Sequence, residues 1–212
     1  MELVKKVEEE VREFFSDTFG CHDWDHIERV YHLCLHIGKK EKADLEILQL
    51  AALLHDIGRK KESELNGKVC HAEVGAKLAR EILEKYKVAE DKMIKIIHCI
   101  ETHRFRGSKV PKSKEAKILF DADRLDSIGA IGLARAYVFA GELNAKVHDK
   151  HVDIEKTKSY TKDDTGYREF LVKLRHVKER MLTEEGKRIA EARHDFMEHF
   201  FERINLEVDG EA

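Results

Sequence analysis

An imidazole and a carboxylate meet at His55 and Asp56, which close the stretch LEILQLAALLHDIG (residues 45–58). The ten residues before them are apolar except for Glu46 and Gln49, so the pair ends a segment that packs among other helices. A buried charge without a partner costs several kcal/mol or shifts its pKa until it is neutral. A metal ion is one partner that suits both groups. The other reading is that His55 caps helix carbonyls while Asp56 pairs with Arg59 or Lys60. His26 is a second candidate, because His26, Val30, Leu33 and Ile37 fall along one stripe of a helix. An inward histidine is either a ligand or a hydrogen-bonded core residue. His22 precedes it by four residues on the same face, and Arg29 follows by three. Directly after Gly58 the segment RKKESELNGK is basic, then polar, and reads as a loop. From there Arg59, Lys60 or Lys61 either reaches a phosphate or is simply solvated.

These side chains need helices to position them. Asp44 is a plausible N-cap and Gly58 a plausible stop for a central helix about four turns long. Before it, Leu3, Val4, Val7, Val11, Phe14 and Phe15 predict a packing helix within residues 1–20, and Asp23 or Asp25 can start the helix that carries His26. Cys70 and His71 open the segment HAEVGAKLAREILEKY, which places His71 near a first turn. Residues 91–102 form the next expected helix, and His103 follows it; His98 lies on a different face. Residues 116–141 read as one long helix or two stacked pieces. Within it Asp121, Asp123 and Asp126 cannot share a target, because residues two apart on a helix diverge by about 200°. Residues 142–165 are polar and lack a period, and are either a lid or a surface excursion. Residues 166–205 supply C-terminal amphipathic helices, over 166–181 and 183–204, on which His176, His194 and His199 read mostly as surface groups, with approach to the site left open for Arg193 and His194.

With one proline and abundant Leu, Ala, Glu and Lys, the expected class is all-α, with no linker to divide residues 1–212 into more than one domain. A net charge of -3 among 38% charged residues excludes a dedicated nucleic-acid surface, leaving phosphate recognition to a local basic patch. The four cysteines stand singly, which suits a reducing cytoplasm. No signal peptide or membrane-spanning run is seen. Gln49 is the sole glutamine and Asn66, Asn144 and Asn205 the sole asparagines, a depletion that accompanies high Glu and Lys in thermophile proteins.

The ordered blocks HDWDHIERV, AALLHDIG and DADRLD resemble the HD-domain superfamily of metal-dependent phosphohydrolases. HAEVGAKLA, ETHRF, DADRLDSIGAIGLAR and the late YREFLVKLRHVKERMLTEEGKRIAEARHDFMEHF are similar to an uncharacterised bacterial and archaeal branch of it. The resemblance covers roughly residues 20–205. It implies a compact helical bundle with metal ligation by His26, His55, Asp56 and Asp123. Imidazole plus carboxylate suits Mn, Fe, Co, Ni or Zn, and Mg less naturally. His71 and His103 match positions that bind a second metal in dinuclear members; here one ion is expected, with this pair holding water or phosphate. The implied reaction is attack by metal-activated water on a small phosphorylated compound such as a nucleotide, with His55 and Asp56 at the centre. Arg59, Lys60 or Arg104 would hold the phosphate. His22, Asp23, Arg29, Asp121 and Asp126 would support the ligands; Asp121 is the runner-up for the last ligand, and Asp126 a candidate to orient a ligating histidine. Two rival readings are an HD-like di-iron oxygenase and a catalytically silent nucleotide-binding regulatory module.

Overall fold

Asp44 begins the central helix as its sequence suggests, accepting hydrogen bonds from the backbone N–H groups of Glu46 (3.0 Å) and Ile47 (3.2 Å). In this computed structural model of the chain, residues 2–15, 23–104 and 109–212 are described. His22 lies outside them. They are all-α: no strand occurs among the described residues. They divide into two compact units, Met1–Asp123 and Arg124–Ala212.

In the first unit α1 (Glu2–Arg12), α2 (Trp24–Glu41), α3 (Leu45–Leu54), α4 (Arg59–Glu64), α5 (His71–Lys85) and α6 (Glu90–Thr102) precede α7 (Lys114–Leu125), whose last two residues fall in the second unit. The central helix is α3. It packs against α1, α2, α5 and α6, and Leu48, Leu50, Ala51, Ala52 and Leu54 are wholly buried. Its two polar residues point to neighbours: Gln49 donates to the Tyr31 hydroxyl at 2.6 Å, and Glu46 pairs with Lys92 at 2.6 Å.

Two expectations near its end are corrected. The helix stops at Leu54 rather than Ile57, and residues 55–58 form a turn. The segment expected to be a loop is the short helix α4, because RKKESE consists of residues compatible with a helix and no glycine interrupts it before Gly67. Gly58 does not stop α3 by a left-handed conformation, since its φ is -84°. It is needed for close approach: a Cβ there would lie 2.2 Å from the His71 carbonyl oxygen and 2.6 Å from the Gly75 nitrogen.

In the second unit α8 (Gly129–Glu142) packs against α9 (Gly166–Val172) and α10 (Glu184–Asp209). The stretch 116–141 is thus two helices. The helix expected over 166–181 ends at Val172 and continues as 3₁₀ turns, Leu174–His176 and Lys178–Arg180. Buried Leu174 and Val177 are three residues apart, the spacing at which a 3₁₀ turn aligns side chains. His194, expected at the surface, is buried, with its Nε2 3.2 Å from the Glu198 carboxylate. Residues 143–165 have no regular helix. They are fastened to their own unit, where Arg168 donates to Thr157 Oγ1 and Asp164 Oδ1, both at 2.7 Å, and His148 meets Asn205 of α10 at 2.8 Å.

Candidate metal centre

Helix ends and first turns of the first unit bring four histidines and two aspartates together. His26 sits in the first turn of α2, where the N-cap Asp23 accepts its backbone N–H at 3.1 Å. His55 is the C-cap of α3 and Asp56 follows it. His71 opens α5, and His103 is the C-cap of α6. Asp123 comes from α7. All four imidazoles and Asp56 are buried, while 19% of the Asp123 side chain is exposed.

The groups form two triads, His26 with His55 and Asp123, and Asp56 with His71 and His103. Asp56 faces both. Its Oδ2 lies 3.6 Å from His26 Nε2 and 3.6 Å from His55 Nε2, and its Oδ1 lies 3.5 Å from His71 Nε2 and 3.4 Å from His103 Nε2. Asp123 Oδ1 stands 3.5 Å from His26 Nε2. The sequence expectation therefore meets in one place, with His71 and His103 drawn in beside it.

The tautomers test whether a cation fits. His55 Nδ1 donates to the Ala52 carbonyl at 2.7 Å and His103 Nδ1 to the Ile100 carbonyl at 2.6 Å, since a carbonyl can only accept. His71 Nδ1 donates to the Glu62 carboxylate at 2.7 Å. When these imidazoles are neutral, each directs its Nε2 lone pair inward. His71 Nε2 and His103 Nε2 are 3.2 Å apart, and His55 Nε2 and His26 Nε2 are 3.4 Å apart. For His71 and His103 the two inward lone pairs face each other, an arrangement that a cation between them would stabilise. Burial pushes both His55 and His71 down to about 4, so at neutral pH each carries the Nδ1 proton alone and is uncharged. Burial also opposes the charge of Asp56, but Arg59 and the surrounding imidazoles hold its carboxyl well below the usual carboxylate range. A donor set of imidazole and carboxylate, with the protons of His55, His71 and His103 turned outward, suits a divalent first-row metal.

The basic residues separate. Arg59 donates through Nε to Asp56 Oδ2 at 2.5 Å and is a quarter exposed, at 26% of its side chain. Arg104 donates to Glu62 Oε1 at 2.9 Å and to Cys70 Sγ at 3.2 Å. Lys60 is exposed on α4. Asp121 is buried and belongs to neither triad, and Arg29 is half-buried on α2. Asp126, a candidate to orient a histidine, is engaged by Arg135 at 2.6 Å. Glu62 escaped the sequence reading. Its signal was its place three residues after Arg59, which becomes a shared helix face only once residues 59–64 are helical.

The HD domain family model matches residues 23–128, which contain all six of these groups. Over 204 residues the chain is 35% identical to an uncharacterised Bacillus subtilis protein, YpgQ, covering 94% of this chain and 91% of that one. It is 31% identical over 113 residues to ribonuclease Y of Alkaliphilus metalliredigens, a match that takes in 53% of this chain and 21% of that protein. The crystal structure of Bacillus subtilis YpgQ in complex with ADP superposes with a TM-score of 0.73 and 30% identity, covering 97% of this chain and 95% of that one. That of an HD-superfamily hydrolase from Bacillus thuringiensis superposes with a TM-score of 0.77 and 29% identity, covering 98% and 97%. Matched along half its length by the family model, the chain belongs to the HD domain family.

Proposed function

We propose that this protein is a metal-dependent phosphohydrolase that acts on a small phosphorylated compound, with nucleotides as the substrate class, and that it works with two divalent ions rather than the one expected from sequence. The observation that carries this reading is Asp56, whose two carboxylate oxygens face two separate groups of imidazoles. His26, His55 and Asp123 would hold one ion, His71 and His103 the other, with Asp56 shared. Bound divalent ions supply an activated water nucleophile and neutralise phosphoryl charge. The protein's own groups do the rest. His55 and His103 keep their protons on Nδ1, turned into the helix ends, so their Nε2 lone pairs are left for the ions. Arg59 and Arg104, both partly exposed beside the triads, present guanidinium donors that match the oxygens of a phosphate. The ADP held by YpgQ supports a nucleotide.

Elemental analysis of freshly purified protein, paired with a phosphomonoester and nucleotide panel, tests the reading. Metal-dependent phosphate release by the wild type is expected, and its loss in Asp56→Ala at unchanged helicity by circular dichroism. Full metal-dependent turnover by folded Asp56→Ala would refute the mechanism.

A further inference from the structure

His71 differs from its neighbours in what stands behind the ring. His55 and His103 rest on backbone carbonyls of their own helices, neutral groups fixed by α3 and α6. His71 rests on a side chain. Glu62 Oε2 accepts a hydrogen bond from its Nδ1–H at 2.7 Å, while Glu62 Oε1 accepts from Arg104 at 2.9 Å. The carboxylate is 17% exposed and held below the usual glutamate range: burial opposes its charge, and His71 and Arg104 together outweigh that. One anionic group is thus divided between a ring that faces the centre and a cation at its edge.

We infer that Glu62 is a positioning residue that sets the affinity of the second ion site, formed by Asp56, His71 and His103, by acting through His71 with Arg104 as its counterweight. This rests on the two-ion reading above. A carboxylate behind a ligating imidazole fixes the ring's tautomer and orientation and raises its basicity, and removing such a partner typically weakens metal binding by about 10- to 100-fold. Arg104 works in the opposite sense, because it draws on the same carboxylate. His71, the ring that Glu62 supports, belongs to one triad only, so the ion of the other serves as an internal reference. The arrangement also gives α4 a role at each site, since Arg59 on the same helix pairs with the shared Asp56.

The test is equilibrium dialysis of metal-free protein against Co2+, with cobalt counted per chain by elemental analysis and the two dissociation constants taken from calorimetry. Glu62→Gln keeps the shape of the side chain and its ability to accept from His71, but removes the charge. The wild type should take up two ions. In Glu62→Gln the first should bind as before and the second about 10- to 100-fold more weakly. Arg104→Gln should tighten the second ion in the wild type and have a smaller effect in the Glu62→Gln background, since the two side chains act as one unit. An unchanged second ion in Glu62→Gln overturns the inference, as does equal weakening of both ions, which marks a merely structural role. A wild type that takes up a single ion overturns the two-ion reading itself, and the inference with it, before any variant is compared.

Discussion

His55, His71 and His103 each have a use for both ring nitrogens. For His55 the two readings open in the sequence, a cap on helix carbonyls or a metal ligand, are compatible: Nδ1 caps Ala52 and Nε2 faces the triad. The same holds for Asp56, which pairs with Arg59 through Oδ2 while Oδ1 faces His71 and His103. The buried neutral rings predict how stability depends on pH. In the unfolded chain His55 and His71 take up protons near 6.5, whereas in the folded protein they do so only at about 4. Between these values the unfolded state binds more protons, so metal-free protein should lose stability as pH falls from about 6.5 towards 4 and stay level above it. Urea midpoints of chelator-treated protein at pH 7.5, 6 and 5 would show this; a midpoint that rises on acidification would contradict it. The lysine and arginine beside the pair should also part company. Arg59→Gln should raise KM for a phosphorylated substrate several-fold, and Lys60→Ala, altering an exposed group, should leave both kinetic constants nearly unchanged. Equal effects of the two would show that exposure is the wrong guide to phosphate contact. His26, His55, Asp56 and Asp123 were legible because each stands in a patterned apolar context or a family block. Glu62 was not, because its role depends on the path of the chain between residues 58 and 71.

Long apolar patterns announce themselves and short polar ones do not. α3 was readable from its run of leucines and its N-cap, and α2, α5 and α6 began within a residue or so of their expected starts. α4 was missed because six residues of RKKESE bury nothing completely and so leave no hydrophobic period to detect. The 3₁₀ turns after Val172 were missed for a related reason, since spacings of three and four look alike over so short a stretch. Because α3 is enclosed by four other helices, truncating it should be costly. Leu50→Ala, at a wholly buried position, should destabilise the protein by about 2–5 kcal/mol in urea unfolding. A loss under 1 kcal/mol would mean that α3 is not the centre of the first unit's core.

All six groups of the centre lie within Met1–Asp123, one of the two compact units, and the helices that carry them differ. Ions bound there would join α2, α3, α5, α6 and α7 beyond what their packing does. By mass action, divalent metal at about 100 times its dissociation constant adds about 2.7 kcal/mol to stability, so chelation should lower the melting temperature and added Mn2+ or Co2+ restore it. A melting temperature indifferent to chelator would count against metal binding in the native state. The contact at Gly58 bears on how such a centre can change over time. There the turn after α3 lies backbone to backbone against the start of α5, with no side chain between them to grow, shrink or repack. The spacing between Asp56 and His71 is therefore insulated from drift in the surrounding core for as long as position 58 stays glycine: leucines can be exchanged for isoleucines or methionines nearby while the gap across the centre is held by main-chain atoms.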